Sequence, residues 1–133
     1  MSERKFRILL GKLGEGHKEA QLALARNFSE AGFEVIYTEL KEPEAIVRSA
    51  LQESVDHIGI TVLPGADIKA FEQLQRLLKE QGSSSITVTA GGILDEADIH
   101  SLARMGVMKF FPQGTSFGEL IEWSKTHIIP KTQ

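Results

Sequence analysis

The sequence contains no cysteine. That absence excludes disulfides, thiolate metal sites and cysteine nucleophiles together. There is no apolar run approaching the roughly 20 residues that cross a bilayer. There is also no Lys/Arg cluster, and the formal net charge is −3, whereas a nucleic-acid binder normally carries a basic patch. No Ser-His-Asp arrangement and no carboxylate pair suited to hydrolysis stands out, and no linker, repeat or low-complexity stretch divides the chain. Met1–Arg7 is charged and runs straight into an apolar segment, unlike a signal peptide. These absences describe a cytoplasmic protein with no nucleic-acid and no membrane partner. What is present is ordinary globular material: 133 residues, 41% hydrophobic and 25% charged. The expectation is a single domain over 1–133, with its core at about 5–127, large enough to bury a hydrophobic centre.

Short apolar runs alternate with longer amphipathic ones. Phe6–Leu10 is nearly continuous in apolar residues, as in a strand covered on both faces. Gly11–His17 reads as a loop, and Lys18–Ala31 as a helix with Ala20, Leu24, Phe28 and Ala31 on one face. Phe33–Tyr37 is a second strand, and Pro43 suits the first turn of a helix that turns Ile46, Val47, Ala50 and Leu51 inward. His57–Val62 is a third strand, broken by Pro64-Gly65. Asp67 is placed to cap a helix bearing Ile68, Phe71, Leu74 and Leu78. Ile86–Ala90 is a fourth strand stopped by Gly91-Gly92, and Asp95–Arg104 a fourth helix. Val107–Phe111 is a fifth strand, and Ser116 or Phe117 to about His127 the last helix, with a frayed tail from Ile129. Strict alternation implies a parallel sheet with right-handed crossovers. The expected fold class is α/β: a flavodoxin-like, doubly wound, five-stranded parallel sheet in the order 2-1-3-4-5, with helices on both faces. Ligands in such sheets sit beyond the carboxyl ends of the strands, near the switch point between the first and third. That places the site among Gly11–His17, Thr61–Gly65, Gly91–Leu94 and Pro112–Thr115.

The first of these loops, Gly11-Lys12-Leu13-Gly14-Glu15-Gly16-His17, offers one carboxylate and one imidazole. A carboxylate bound to one ring nitrogen leaves the other as a lone-pair donor, the usual arrangement behind a metal-ligating histidine. A lone histidine binds a free divalent ion poorly and suits a metal that arrives inside a cofactor. A lone loop histidine is more often simply solvated, and it is the position of His17 at the expected site that weighs the other way. Thr61 offers a hydroxyl at the sheet edge and Leu63 an apolar surface. Gly91-Gly92 is either bare backbone for a flat group or a tight turn. Gln113-Gly114-Thr115 either closes the far side or is a plain turn. His57, His100 and His127 lack ligand spacing to one another, and Trp123 reads as core or interface.

At these residues the chain resembles a family, the cobalamin-binding domains of adenosylcobalamin-dependent acyl-CoA mutases. More closely, it is similar to the separate small subunits of isobutyryl-CoA and 2-hydroxyisobutyryl-CoA mutases. The family pattern is Asp-x-His-x-x-Gly after the first strand, Ser-x-Leu after the third and Gly-Gly after the fourth. Here the matching residues are Glu15-Gly16-His17-Lys18-Glu19-Ala20, Thr61-Val62-Leu63 and Gly91-Gly92, with Gln113-Gly114-Thr115 where Pro-Gly-Thr is common. The resemblance implies adenosylcobalamin bound with its dimethylbenzimidazole tail off the cobalt and seated in a slot lined by Thr61, Leu63, Gly91 and Gly92. It implies His17 as lower axial ligand, Glu15 orienting the ring, and a large partner subunit carrying the acyl-CoA barrel, where cobalt–carbon homolysis starts a radical 1,2-rearrangement. Gly16, Ala20, Gly114 and Thr115 complete the expected cofactor-binding set. The sequence departs from the pattern at Glu15, Ala20 and Thr61, and its first loop is one residue shorter.

Other readings differ in class. A receiver domain needs a phosphoacceptor Asp at the end of the third strand, where this chain has Thr61-Val62-Leu63. A dinucleotide site is opposed by Glu19 at the third position of the Gly14-x-Gly16 pattern. The alternatives within the resemblance are a non-catalytic corrinoid module for methyl transfer, delivery or sensing, and a member that has lost cobalamin binding.

Overall fold

The computed structural model describes residues 5–14, 16–39 and 42–128. Five βα units follow in order: β1 (Arg7–Leu13), α1 (Lys18–Glu30), β2 (Glu34–Tyr37), α2 (Pro43–Gln52), β3 (His57–Val62), α3 (Lys69–Glu80), β4 (Thr87–Gly92), α4 (Glu96–Arg104), β5 (Phe110–Pro112) and α5 (Phe117–His127). All strands pair in parallel, in the order β2-β1-β3-β4-β5. This is the flavodoxin-like arrangement expected from the alternation.

Side-chain alternation along the strands divides the interior in two. Leu9, Leu13, Ile58, Ile60 and Val62 join Ile46, Val47 and Ala50 of α2 and Phe71, Leu74 and Leu78 of α3 in one large cluster. On the opposite face Ile8 and Leu10 meet Phe28 and Phe33, with Leu24, Leu120 and Ile121 packed around them. This second core is much thinner, because part of its space is a cavity. Helix starts follow local chemistry. Pro43 opens α2, and the Asp95 side chain accepts from the Asp98 N–H at the start of α4. Ser116 caps α5, accepting from the Glu119 N–H at 3.1 Å, while the Glu119 carboxylate accepts from the Ser116 N–H at 3.3 Å.

Several expected boundaries move. β1 continues past Leu10, because Gly11, Lys12 and Leu13 pair with Ile60, Thr61 and Val62. The first loop therefore begins at Gly14. Gly91-Gly92 does not stop β4 but belongs to it, paired with Thr61 and Val62 on one side and Phe111 and Pro112 on the other. β5 is shorter than expected and shifted toward Pro112. α3 begins at Lys69, and Asp67 accepts from the Lys69 N–H at 2.9 Å. On α1 the expected inward residue Ala20 is exposed, and Gln21 takes the buried position. Met1–Arg4 and the tail from Ile129 lie outside the described residues.

Candidate cofactor site

A cavity of about 290 Å³ lies between the sheet and helices α1 and α5, on the side with the thinner core. Its size is near the lower end of small-molecule sites, roughly 300–1,000 Å³. His17, Ala20, Thr61, Leu63, Gly91, Gly92, Gly114 and Thr115 all line it, although they come from four separate strand ends. Gly16 stands beside the cavity without lining it, and Glu15 lies outside the described residues, so no Glu15–His17 contact is described. Ile8, Leu10, Leu24, Phe28 and Leu120 make the deeper wall apolar. Apolar Ile93 and Phe117 line the cavity too, and both are exposed.

His17 occupies the residue before α1 in a left-handed conformation, φ 60° and ψ 31°. Such values are uncommon outside glycine, though histidine adopts them more readily than most residues. The side chain makes no capping hydrogen bond and the residue is exposed, while its carbonyl accepts from the Gln21 N–H at 3.0 Å. Among the described residues the imidazole has no hydrogen-bond partner, and it stands at the cavity. Two groups hold the loop that carries it. Lys12 is 5% exposed, and its ammonium donates to the Gly16 carbonyl at 2.6 Å. Gly14 has φ +109°, and a Cβ there would lie 2.8 Å from the Leu63 Cβ, so only glycine lets the end of β1 lie against the end of β3.

The paired glycines have a use within the protein itself. At Gly92, φ is +131° and an added Cβ would lie 2.2 Å from the Val62 carbonyl oxygen; at Gly91 it would lie 3.2 Å from the Phe111 carbonyl oxygen. Bare backbone at this edge therefore serves strand packing as well as the cavity wall. Thr115 donates its hydroxyl to the Pro112 carbonyl at 2.6 Å, closing the last loop on itself.

Two polar groups line the cavity from beneath. His57 is buried, with Nδ1 2.6 Å from the Thr87 hydroxyl and Nε2 2.8 Å from the Thr89 hydroxyl. Burial pushes its pKa down to about 3, so the ring is neutral and both nitrogens are engaged. Gln21 donates from Nε2 to the Thr61 hydroxyl oxygen at 2.6 Å, whereas its Oε1 is buried with no partner among the described residues. Gln21 and Lys12 were missed in the sequence. The spacing alone leaves Gln21 open: it lies three and seven residues before Leu24 and Phe28, but Ala20, four and eight residues before them, fits the same face. Lys12 was hidden by its assignment to a loop. Among the described residues no group of three or more His, Asp or Glu side chains could hold a metal ion. Among the described residues the site thus offers an imidazole without a hydrogen-bond partner, an apolar slot and one amide oxygen left unpaired.

The B12 binding domain family matches residues 8–121. The 2-hydroxyisobutanoyl-CoA mutase small subunit of Aquincola tertiaricarbonis is 35% identical over 117 residues, covering 86% of each chain. The pivalyl-CoA mutase small subunit of Xanthobacter autotrophicus is 34% identical over 121 residues, covering 90% of this chain and 81% of that one. The methylmalonyl-CoA mutase large subunit of Propionibacterium freudenreichii subsp. shermanii is 31% identical over 118 residues, which cover 87% of this chain but 16% of that one. Among solved structures, a cobalamin-binding protein from Desulfitobacterium hafniense superposes with a TM-score of 0.72 at 18% identity, over 92% of this chain and 59% of that one.

Proposed function

Since this chain belongs to the B12 binding domain family, we propose that it is the cobalamin-binding small subunit of an acyl-CoA mutase, an isomerase inactive without its large subunit, and that His17 is the lower axial ligand of the cobalt. One observation carries the reading: an exposed imidazole with no capping role stands at an apolar cavity lined by Thr61, Leu63, Gly91 and Gly92. The relatives support the same direction, two of them being small subunits of CoA mutases.

The division of labour follows from the residues. His17 would hold cobalt through one ring nitrogen. Lys12, by fixing the Gly16 carbonyl, would hold the loop that aims the ring. The cavity would take the nucleotide tail displaced from the metal, with Thr61 and Gln21 as its polar contacts and Leu10, Phe28 and Leu120 excluding water. Glu15, from its place in the sequence, would accept the proton on the other ring nitrogen. Adenosylcobalamin, when bound, supplies the radical that starts the carbon-skeleton rearrangement. The chain's own share is binding and orientation, and the acyl-CoA would lie on the large subunit. The exposed Ile93 and Phe117 give that subunit an apolar surface beside the cavity.

The test is a visible-absorption titration with adenosylcobalamin, followed by desalting, on the native chain and on His17→Ala. The native chain should retain cofactor with the tail off cobalt and a protein nitrogen in its place. His17→Ala should lose that nitrogen ligation. Cofactor retained with the same cobalt spectrum in both proteins would sink the assignment of His17, and a folded native chain that retains none would sink the function.

A further inference from the structure

Three neighbouring strand ends each send one polar contact to the turn that carries His17. From β1, the Lys12 ammonium donates to the Gly16 carbonyl at 2.6 Å. From β3, the Thr61 hydroxyl oxygen accepts from Gln21 Nε2 at 2.6 Å. From beyond the end of β2, the Glu39 carboxylate pairs with the Lys18 ammonium at 3.2 Å. The contacts thus reach the residue before His17, the residue after it, and the residue one helical turn on. Helix α1 has little else to fix its start. Its first residues follow a left-handed His17 that supplies no side-chain cap, whereas Asp95 and Ser116 cap α4 and α5. An uncapped first turn leaves N–H groups without intrahelical partners and frays more readily.

We infer that Lys18 and Glu39 are positioning residues for His17, an ion pair that fixes the first residue of α1 against the end of β2. The inference rests on the proposed function. Glu39 has a firm base, because the N–H of Thr38, the residue before it, donates to the Leu10 carbonyl at 3.0 Å. Lys18 follows His17 directly, so any swing of the helix start carries the imidazole with it. A ring already held in place leaves less ordering to be lost when a cofactor binds. The three contacts differ in exposure. Lys12 and Gln21 are 5% and 3% exposed, whereas the Lys18 and Glu39 side chains are 61% and 51% exposed. Salt therefore reaches the third contact and spares the other two. An exposed pair of this kind contributes about two- to fivefold to an equilibrium constant.

The experiment titrates adenosylcobalamin by visible absorption at about 0.01 M and about 1 M sodium chloride, where the Debye length is roughly 30 Å and roughly 3 Å. The cofactor carries no net charge, so a salt effect reports on charges of the protein. The native chain should bind about two- to fivefold more weakly at high salt. Lys18→Met, Glu39→Gln and the double variant should each bind at low salt as the native chain does at high salt, with the salt dependence gone. The double variant should be no weaker than either single one. In a His17→Ala background, Lys18→Met should leave the affinity unchanged, because the pair acts through the ring; a merely structural pair would weaken binding there too. Native affinity indifferent to salt overturns the inference and leaves the proposed function standing. Single variants whose losses add in the double variant, or a Lys18→Met loss of the same size without His17, also overturn it. Where His17→Ala retains no cofactor, the native salt dependence and the double variant decide. A folded native chain that retains no cofactor at either salt overturns both readings together.

Discussion

Acidification should destabilise this fold through one residue, His57. The imidazole is buried between two threonine hydroxyls, and burial pushes its pKa from 6.5 down to about 3. The folded state thus resists a proton that the unfolded chain accepts. As pH falls below about 6.5 the unfolded state takes up that proton first and gains free energy relative to the folded one. The stability in question is present above about 6.5, is lost progressively toward about 3, and is constant below that. At about 1.36 kcal/mol per pKa unit the whole interval is worth about 5 kcal/mol, and the stretch from pH 7 to pH 5 about 2 kcal/mol. That is a large share of the 5–15 kcal/mol typical of a domain. Carboxylates titrate over the same range, so the measurement is a difference. Urea unfolding is followed at pH 7, 6 and 5 for the native chain and for His57→Gln, which cannot take up a proton. The native chain should lose about 2 kcal/mol more than the variant between pH 7 and pH 5. Parallel losses in the two proteins would refute the reasoning, and would mean that His57 is solvated or that its proton uptake is matched in the unfolded state.

Two further substitutions test the frame of the site. Gly92→Ala drives a Cβ to 2.2 Å from the Val62 carbonyl oxygen, and should cost more than about 3 kcal/mol in urea unfolding. Gly82→Ala, also at positive φ but with nothing within 4 Å, should cost only about 1–2 kcal/mol; equal costs would show that the close approach is irrelevant. Lys12→Met keeps the buried stem but removes the donor to the Gly16 carbonyl. It should weaken adenosylcobalamin binding by about tenfold, and unchanged affinity would remove Lys12 from the site.

The order of elements was legible because a parallel sheet covered on both faces writes its strands as short apolar runs between amphipathic stretches. Strand ends were less legible, for a specific reason. Whether Gly11–Leu13 or Gly91-Gly92 continues a strand depends on the neighbouring strand, and nothing local to a glycine says that Thr61 and Val62 lie beside it. The residues lining the cavity were mostly readable, since the fold rule names the strand ends and those ends carried the motif. Gln21 was not, because Leu24 and Phe28 fit a helical face with either Ala20 or Gln21. Only Thr61, 40 residues away in sequence, decides which one turns inward.

The length of β1 has a consequence for how a ligand meets this protein. The strand is held in the sheet as far as Leu13, and α1 begins at Lys18. His17 therefore sits on a leash of four residue steps from the last anchored strand residue, a reach bounded at about 14 Å even when fully stretched. A second tether on its other side is the helix itself. The imidazole cannot sweep out to fetch a distant metal and draw it in. It is a fixed post to which, under the proposed function, the metal would have to be delivered, and the number of residues between Leu13 and His17 would then matter to the site as much as the ring they carry.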